Sequence, residues 1–336
     1  MTPSISIIIP TLNSATTLSK CLSSITSQNY PKNKLEILVI DGGSTDTTLK
    51  IAKKHHAKIL KNPLKTGEAG KAVGLKKARH QLIAFIDSDN ILPTKNWLKT
   101  MTVPFKDTQI IATEPNSFTY RPQDPALTRY FAMLGANDPL CIFLGNYDRQ
   151  SQLTNRWTNL KFPQQNFPTY LKIKFNHLPL PTIGANGTII RHNTLKTLNI
   201  KNYYFDNDIF SKLLNKQKHF YFAKVKTGII HLYAGNFKSF LNKQLRRIND
   251  YSFHLSQNQR STNLKEQYLP KILLFQLQCL LVFPILYQTI EGFIKKPDPA
   301  WLIHPLAVYS TWFIYLYGWL YAKIKPHQTS RNKWQK

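Results

Sequence analysis

Two carboxylates one residue apart end an apolar stretch of this chain, in the sequence AFIDSDNILP. At this spacing Asp87 and Asp89 repel each other unless a cation neutralises them. A lone Asp at a strand end is usually a turn former or a helix cap, but a pair behind a buried strand is typical of a cation site. The pair therefore predicts a divalent ion, Mg²⁺ or Mn²⁺, held together with substrate phosphates.

The elements before this pair are strands that alternate with helices. The apolar runs of strand length are ISIIIP, KLEILVID, AKIL and QLIAFID. A helix after the first run is predicted from apolar residues at helical spacing: Ala15, Leu18, Leu22 and Ile25. The stretch from Glu68 to His80 predicts a further helix. This alternation predicts βαβ units, and hence a parallel sheet flanked by helices.

Polar residues follow three of these strands, as Thr11 with Asn13, as Asp41 to Asp46, and as Asp87 to Asp89. Ligands of parallel sheets bind beyond the carboxyl ends of the strands, so we expect the three clusters to converge. Neither the dinucleotide fingerprint GxGxxG nor the phosphate loop GxxxxGK[ST] follows the first strand. The site must therefore hold its phosphates differently, and a metal on the Asp pair is the best candidate.

Three segments, SIIIPTLNSATTLSKCLSSI, LEILVIDGGSTDTT and ARHQLIAFIDSDN, occur in the order and at the spacing that open glycosyltransferase family 2. The chain resembles this family, which has the GT-A fold. The resemblance implies an α/β protein with a Rossmann-like, mixed and mostly parallel sheet flanked by helices. It also implies a nucleoside-diphosphate-sugar donor, with Thr11, Asn13 and Asp41 at the nucleotide and Asp87-Ser88-Asp89 as the DxD motif.

One departure from the family concerns the segment before Gly74. Family members often carry an Arg-Asn pair there, whereas this chain has Ala72-Val73. The nearby Lys71 is the candidate that would supply the missing positive charge to the donor.

Further site residues are implied by the resemblance in the second half of the chain. In LPTIGANGTIIRH, Asn186 lies in a Gly-rich turn like the one that approaches the donor sugar in the family. YYFDNDIF resembles the acidic motif whose second carboxylate, here Asp208, takes the acceptor proton; Asp206 and Asp208 are alternatively caps of the helix that starts there. His231 follows a strand, where several GT-A enzymes have a third metal ligand beside the Asp pair, and it is alternatively structural.

The segment KQLRRIND resembles the QxxRW motif of membrane-bound family members. Gln244 and Arg247 match the motif, while Ile248 replaces its Trp, which weakens any inference of polymer formation. Arg246 and Arg247 are predicted to stabilise the diphosphate leaving group, since guanidinium groups pair well with phosphate. A solvated helix face is the alternative.

Composition limits the kinds of protein this chain can be. Its 336 residues are 42% hydrophobic, which predicts a folded protein. The net charge of +28 indicates polyanionic partners, which are nucleic acid, phosphorylated substrates or an anionic membrane, or else a solvated lysine-rich surface. The three widely spaced cysteines show no zinc spacing and predict free, mostly buried thiols in a reducing compartment. The first strand lacks the features of a signal peptide, so we expect the bulk of the chain in the cytoplasm.

Two stretches near the C-terminus, Ile272–Ile290 and Trp301–Ala322, lack Asp, Glu, Lys and Arg and approach the length of a bilayer span. A membrane hairpin, helices lying in the interface, and helices packed on the catalytic domain all remain open, and membrane association is favoured. The predicted organisation is a GT-A domain over 1–250, with a nucleotide-binding half (1–100) and an acceptor half (101–250). Membrane-associated hydrophobic helices over 251–325 and a basic tail over 326–336 follow.

These patterns favour an inverting, metal-dependent glycosyltransferase at the cytoplasmic face of a bacterial membrane, acting on a lipid-linked or cell-envelope glycan acceptor. Asp208 would act as general base, and the metal would bind Asp87, Asp89 and His231. Nucleotidyl transfer to a sugar phosphate is an alternative, although it would need a Gly/Arg-rich loop where the chain has TLNS. A basic nucleic-acid-binding protein is disfavoured, because no recognition motif is present and the carboxylate clusters would repel phosphate.

Overall fold

The apolar runs predicted as strands form a mixed sheet in the computed structural model, which describes residues 2–233, 235–324 and 329–330. Within these residues the sheet has ten strands. They are β1 (Ile5–Thr11), β2 (Leu35–Asp41), β3 (Lys58–Lys61), β4 (Leu82–Ile86), β5 (Asn90–Ile91), β6 (Ile110–Phe118), β7 (Gln164–Asn166), β8 (Tyr170–Phe175), β9 (Asn186–Arg191) and β10 (Phe220–His231). Their order is β3-β2-β1-β4-β9-β6-β10-β8-β7, and β5 pairs with β10.

Helices alternate with strands in the first part of the chain, whereas the last part consists of consecutive helices. They are α1 (Ala15–Thr26), α2 (Thr48–Lys54), α3 (Gly67–Lys77), α4 (Trp97–Thr102), α5 (Ala126–Leu134), α6 (Leu140–Leu144), α7 (His192–Lys196), α8 (Asp206–Gln217), α9 (Phe237–Ser256), α10 (Leu264–Leu281), α11 (Phe283–Lys295) and α12 (Ile303–Ile324). Short 3₁₀ turns occupy Lys32–Lys34, Val103–Lys106 and Pro299–Leu302.

The chain divides into two units. The first contains the residues up to Asn116 together with Phe162–Leu232, and the second contains Ser117–Lys161 and Tyr233–Ser330. This division groups 117–161 with the C-terminal helices, whereas the sequence pattern placed it in an acceptor half that continues to 250. Of the predicted basic tail 326–336, all but 329–330 lies outside the described residues.

The sheet of the first unit is parallel at one side and antiparallel at the other. The strands β1 to β4 form parallel pairs, with β1 between β2 and β4. All seven residues of β1 are buried, as expected for a parallel strand covered on both faces. The strand β9 is antiparallel to both β4 and β6, and β8 is antiparallel to β7 and β10. The prediction of a mixed sheet flanked by helices is therefore confirmed.

Helix α3 lies close to β1 at Gly74, and this contact gives a testable stability effect. A Cβ added at Gly74 would lie 2.5 Å from Cγ2 of the fully buried Ile8. A Cβ at Gly67, in the first turn of the same helix, would have no atom within 4 Å. We expect Gly74→Ala to lower the free energy of unfolding by about 1–3 kcal/mol through overpacking. The matched variant Gly67→Ala should leave it unchanged or raise it by about 0.5–1 kcal/mol, because Ala loses less backbone entropy. Urea titration of both variants checks the pair, and equal effects would contradict this packing argument.

The second unit has its own core beneath its helices. Phe131 of α5 stacks near Tyr233 with 3.9 Å between ring centroids, and Trp301 is fully buried in the same cluster. The cysteines are free thiols as predicted, with Cys21 and Cys279 buried and Cys141 partly exposed.

The predicted apolar segment Ile272–Ile290 is not one helix. It divides at Val282, whose φ of +62° ends α10, and α11 begins with Pro284 in its first turn. Pro284 lacks the N–H that a continuous helix would need and would clash with the preceding turn, which explains the break. By length and composition, no single described helix qualifies as a membrane span. The helices α10 and α11 qualify only as a pair, bent by 88°.

Candidate functional site

The polar residues after β1 and β2 lie side by side, because these parallel strands pair with Thr11 opposite Asp41. The backbone N–H of Asn13 donates to Ser44 Oγ at 2.8 Å, and Asn13 Oδ1 accepts from the backbone N–H of Thr45 at 2.8 Å. Asn13 has a φ of +48°, a left-handed conformation that Asn tolerates well. The two loops are therefore bound to each other by their own side chains.

Asp41 is buried and organises the second of these loops. Its carboxylate accepts hydrogen bonds from the N–H groups of Gly43 (2.8 Å) and Ser44 (3.0 Å) and from the Ser44 hydroxyl (2.5 Å). The adjacent Thr11 hydroxyl is also buried, and it has no hydrogen-bond partner among the described residues. Buried hydroxyls are normally hydrogen-bonded, so Thr11 is a candidate for contact with a ligand.

The loop after β4 joins the same region. Ser88 Oγ lies 3.1 Å from Ser14 Oγ, at the start of α1, and both side chains are fully buried. The backbone N–H of Asp87 donates to Asn90 Oδ1 at 3.1 Å, which closes a tight turn around Asp87 to Asn90. The three polar clusters therefore converge as predicted.

His231 and Asp89 are neighbours because of strand pairing. The short strand β5 pairs antiparallel with the end of β10, with His231 opposite Asn90. The backbone N–H of Leu232 donates to the carbonyl of Asp89 at 2.9 Å. This register places His231 Nε2 3.7 Å from Asp89 Oδ1, with both side chains less than a tenth exposed.

The donor set fits a divalent cation in part. A carboxylate oxygen and an imidazole nitrogen are ligands that Mn²⁺ accepts, and Asp89 is the hard oxygen donor that Mg²⁺ prefers. Among the described residues, however, no three His, Cys, Asp or Glu side chains form a group that could hold an ion by themselves. An ion at Asp89 and His231 would therefore depend on substrate phosphates and water for its remaining ligands. Participation of Asp87 stays a prediction.

Asn186 is held beside the same turn. Asn90 Nδ2 donates to Asn186 Oδ1 at 3.0 Å, and both side chains are buried. The next residue, Gly187, has a φ of +85°, and a Cβ there would lie 2.9 Å from Ile229 Cδ1 and 3.1 Å from the Trp97 ring. Glycine is therefore needed for the backbone of this turn to enter β9.

Beneath this turn lies a buried ion pair. Lys224 Nζ of β10 is 2.8 Å from Glu114 Oε2 of β6, and the side chains are 1% and 0% exposed. The Thr188 hydroxyl, two residues after Asn186, lies 3.2 Å from Glu114 Oε1. The pair therefore anchors the start of β9 from below.

A second pair joins α3 to α8, where Lys71 Nζ donates to Asp206 Oδ2. Burial raises the pKa of Asp206 to about 6, although the neighbouring Lys71 lowers it. For Lys71, burial lowers the pKa, but Asp206, Glu68 and Asp87 together raise it above its ordinary value, so the amine is charged at neutral pH. Lys71 is thus a buried cation beside the acidic motif.

The two carboxylates of the acidic motif differ in accessibility. Both lie in the first turn of α8, where the helix dipole favours negative charge. The Asp206 side chain is 19% exposed, whereas Asp208 is only 1% exposed. Neither residue occupies the N-cap position of the helix, which belongs to Phe205.

The Gln244–Arg247 motif lies in the second unit and binds other residues of that unit. Arg247 Nη1 is 3.0 Å from Asp138 Oδ2, and Gln244 Nε2 donates to Thr311 Oγ1 of α12 at 2.8 Å. Ile248 packs on α12 as well, since a Cβ at Gly318 would lie 2.6 Å from its Cγ2. The motif therefore fastens α9 to α12, and contact of Arg247 with a diphosphate stays a prediction.

Residues 6–198 match the profile of Glycosyl transferase family 2. The chain belongs to this family. The matched region contains the loops after β1, β2 and β4, the turn at Asn186 and all of β9, so the site lies largely within the family domain. The acidic motif, His231 and the Gln244–Arg247 motif follow it in the chain.

Two relatives illustrate how far the sequence similarity extends. Glycosyltransferase AglE of Haloferax volcanii is 33% identical over 135 residues, which are 38% of this chain and 44% of that protein. The poly(ribitol-phosphate) β-N-acetylglucosaminyltransferase TarS of Staphylococcus aureus is 38% identical over 93 residues, or 26% of this chain and 16% of that protein. The chain thus matches less than half the length of either relative.

The fold is similar to that of a solved glycosyltransferase over almost its whole length. The mannosyltransferase of Pyrobaculum calidifontis, in complex with GDP-Man and Mn²⁺, superimposes with a TM-score of 0.54 at 15% identity. The match covers 97% of this chain and 87% of that chain. The family domain and this likeness confirm the GT-A fold predicted from the sequence.

Several residues of the candidate site were not singled out from the sequence. Asn90 binds Asn186, and Glu114 with Lys224 supports the turn that contains it. A partial signal was present, since Glu114 is the one charge in IIATEPNSF, while Lys224 shares FYFAKVKTGIIH with Lys226. Opposite charges buried in two strands of one sheet are a pattern that indicates pairing.

Proposed function

We propose that this family 2 member transfers a sugar from a nucleoside-diphosphate sugar to a hydroxyl acceptor, with inversion at the anomeric carbon. The observation that carries the proposal is the convergence, at the strand ends of one sheet, of the Asp89–His231 pair with the loops of Asn13 and Asp41. Such strand ends are where α/β sheets bind nucleotides. The acceptor oxygen would attack the anomeric carbon opposite the departing diphosphate, and a single displacement of this kind inverts the configuration.

For the nucleotide we propose the loops after β1 and β2. The buried Thr11 hydroxyl lacks a partner among the described residues, and a ligand that bonds to it would remove the cost of that burial. Asn13 and Asp41 hold the two loops in a fixed arrangement before any ligand binds, which lowers the entropy cost of recognition. Lys71 is charged at neutral pH and supplies a cation to the donor end of the site.

A bound Mn²⁺ or Mg²⁺ would supply positive charge against the diphosphate as its bond to the sugar breaks. Asp89 and His231 would hold it, with Asp87 as the further candidate. Asn90 and the Glu114–Lys224 pair would position the Asn186 turn toward the donor sugar.

The general base is one of the two carboxylates of the acidic motif. Asp208 is the candidate from the sequence, because the resemblance assigns the proton to the second carboxylate. Accessibility supports Asp206 as a competing candidate, since its side chain is 19% exposed whereas Asp208 is 1% exposed. An acceptor hydroxyl must come within hydrogen-bond distance of the base that deprotonates it.

We propose a lipid-linked or cell-envelope glycan as the acceptor, encountered at the cytoplasmic face of the membrane. The names of two relatives support this class of acceptor. TarS is named for poly(ribitol-phosphate), and a Methanococcus voltae relative, 38% identical over 104 residues (28% of this chain, 32% of that protein), is named for a dolichyl N-acetyl-α-D-glucosaminyl phosphate.

A thermal-shift screen of nucleoside diphosphates and their sugars, with and without Mn²⁺, tests the donor. A true donor at 100 times its Kd should add about 2.7 kcal/mol of stability, and only when the metal is present. Release of nucleoside diphosphate on addition of acceptor would then establish transfer. Release of pyrophosphate from a nucleoside triphosphate and a sugar phosphate would instead identify a nucleotidyltransferase. Salt-dependent oligonucleotide binding without any response to nucleotide sugars would contradict both.

A further inference from the structure

The helices α10, α11 and α12 expose large apolar side chains to an unusual degree. Leu280 is 68% exposed, Phe283 is 71% exposed and Ile294 is 72% exposed. Single exposed apolar residues are normal on protein surfaces, but here they recur along three consecutive helices. We call this the apolar surface of α10–α12.

The pattern is one-sided in each helix. Helix α11 buries Ile285, Thr289 and Gly292 at helical spacing. The exposed apolar side chains of the same helix are Phe283, Leu286, Tyr287, Ile290, Phe293 and Ile294. In α10, Phe275 and Cys279 are likewise buried while Leu273, Leu277 and Leu280 are exposed. One face of each of these two helices therefore packs on other residues of the second unit, and the other presents hydrocarbon where polar residues are expected.

The sharp break between α10 and α11 concentrates this exposure. The two helices meet at 88° around Val282, and the residues on either side, Leu281 and Phe283, are 59% and 71% exposed. Tyr287, Tyr317 and Trp319 add amphipathic rings to the same surface, which suit a boundary between hydrocarbon and water. Lys271 and Lys295 lie on the same two helices, but their ammonium groups donate to the backbone carbonyls of Leu144 and Leu153.

We propose that the apolar surface of α10–α12 docks on an anionic lipid bilayer, with the bent pair lying in the interface and one face of each helix immersed. Half-immersion fits helices whose opposite faces are already packed on protein. Charge complementarity selects the partner: a chain of net charge +28 is attracted to anionic lipid, whereas a second copy of the same chain carries the same charge and is repelled. This proposal deepens the proposed function, because it names the surface that would meet the membrane in which a lipid-linked acceptor lies. It rests on the proposed function only in assuming such an acceptor.

Vesicle flotation of the full-length protein tests this proposal. We expect binding to vesicles of phosphatidylcholine mixed with phosphatidylglycerol, and weaker binding to phosphatidylcholine alone. Phe283→Glu and, separately, Ile294→Glu should each lower the partition coefficient by at least about tenfold, because each replaces immersed hydrocarbon with a charge. Val103→Glu is the matched control, since Val103 is 36% exposed on a 3₁₀ turn of the first unit. Its binding should equal that of the wild type.

Two results would overturn the proposal. One is a wild-type protein that fails to float with either kind of vesicle, and the other is a pair of Glu variants that bind as the wild type does. If the wild type does not bind vesicles but forms a stable dimer in light scattering, and Phe283→Glu dissociates that dimer, the surface would be assigned to a second copy of the chain instead. Nucleotide-sugar thermal shifts on the same variants separate the two proposals. We expect the Glu variants to lose vesicle binding while the thermal shift caused by a nucleotide sugar stays as in the wild type. A wild-type protein that floats normally but shows no thermal shift with any nucleotide sugar would contradict the proposed function and leave the membrane proposal standing.

Discussion

Asp89→Asn is expected to abolish metal-dependent nucleotide binding and to lower the rate of transfer by at least about a thousandfold, which corresponds to about 4 kcal/mol of transition-state stabilisation. Asp89 is the carboxylate that strand pairing fixes beside His231, at 3.7 Å. Its amide replacement has the same size but a much weaker attraction for a divalent ion. Isothermal titration with nucleoside diphosphate, with and without Mn²⁺, measures the loss directly.

The matched control for this experiment is Asp107→Asn. Asp107 belongs to the same unit, and its carboxylate, on a side chain that is 27% exposed, pairs with Lys172 at 2.6 Å and not with a residue of the candidate site. Metal-dependent binding and turnover should be unchanged in this variant. Normal turnover in Asp89→Asn, or an equal loss in Asp107→Asn, would show that Asp89 does not bind the metal ion that neutralises the diphosphate of the donor.

Replacing the general base should remove transfer by about a hundred- to ten-thousandfold while donor binding is retained, because the base acts on the acceptor proton and not on the nucleotide. Asp206→Asn and Asp208→Asn are therefore compared for donor affinity and for transfer rate. The variant that loses rate at unchanged donor affinity identifies the base. Loss of donor affinity and thermal stability together would mark a structural carboxylate.

The pH profile of the wild type gives independent information on the same choice. The Asp206 carboxyl has a pKa raised to about 6 by burial, against the opposing effect of Lys71, and Glu68 and Asp87 also face it. A base must be ionised to accept a proton, so an enzyme that uses Asp206 loses kcat/KM as the pH falls through about 6 and reaches its plateau above that value. A profile that stays flat to well below that pH would exclude Asp206 and favour Asp208.

The part of the fold that could be predicted from the sequence is the part governed by local periodicity. The runs that became β1 and β2 are mostly apolar, interrupted by Ser6 and Glu36, which bond to each other. Helix α1 buries Leu18, Leu22 and Ile25 of the predicted face together with Cys21. Parallel pairing then aligns Thr11 with Asp41 without further information. The convergence of the polar loops follows from this alignment, since side chains after parallel strands meet at one edge of the sheet.

The remaining features depend on contacts between residues that are distant in the chain. Lys71 and Asp206 are separated by 135 residues, and their pairing could not be read from the spacing of either motif. The Gln244–Arg247 motif matched a pattern associated with substrate, yet its partners Asp138 and Thr311 belong to the second unit and are defined only by helix packing. Pro284 signalled a break in the C-terminal apolar segment, but the angle of 88° depends on how α11 packs.

The Glu114–Lys224 pair beneath the Asn186 turn has a consequence for how the two positions can change during evolution. Removal of either partner alone leaves an isolated charge in a dry environment, at a cost of about 3–5 kcal/mol, a large fraction of the 5–15 kcal/mol by which a typical domain is stable. Replacement of both by apolar residues of similar volume is often neutral or stabilising. We therefore expect positions 114 and 224 to covary across the family, as an acid with a base or as two hydrocarbons, with intermediate combinations rare.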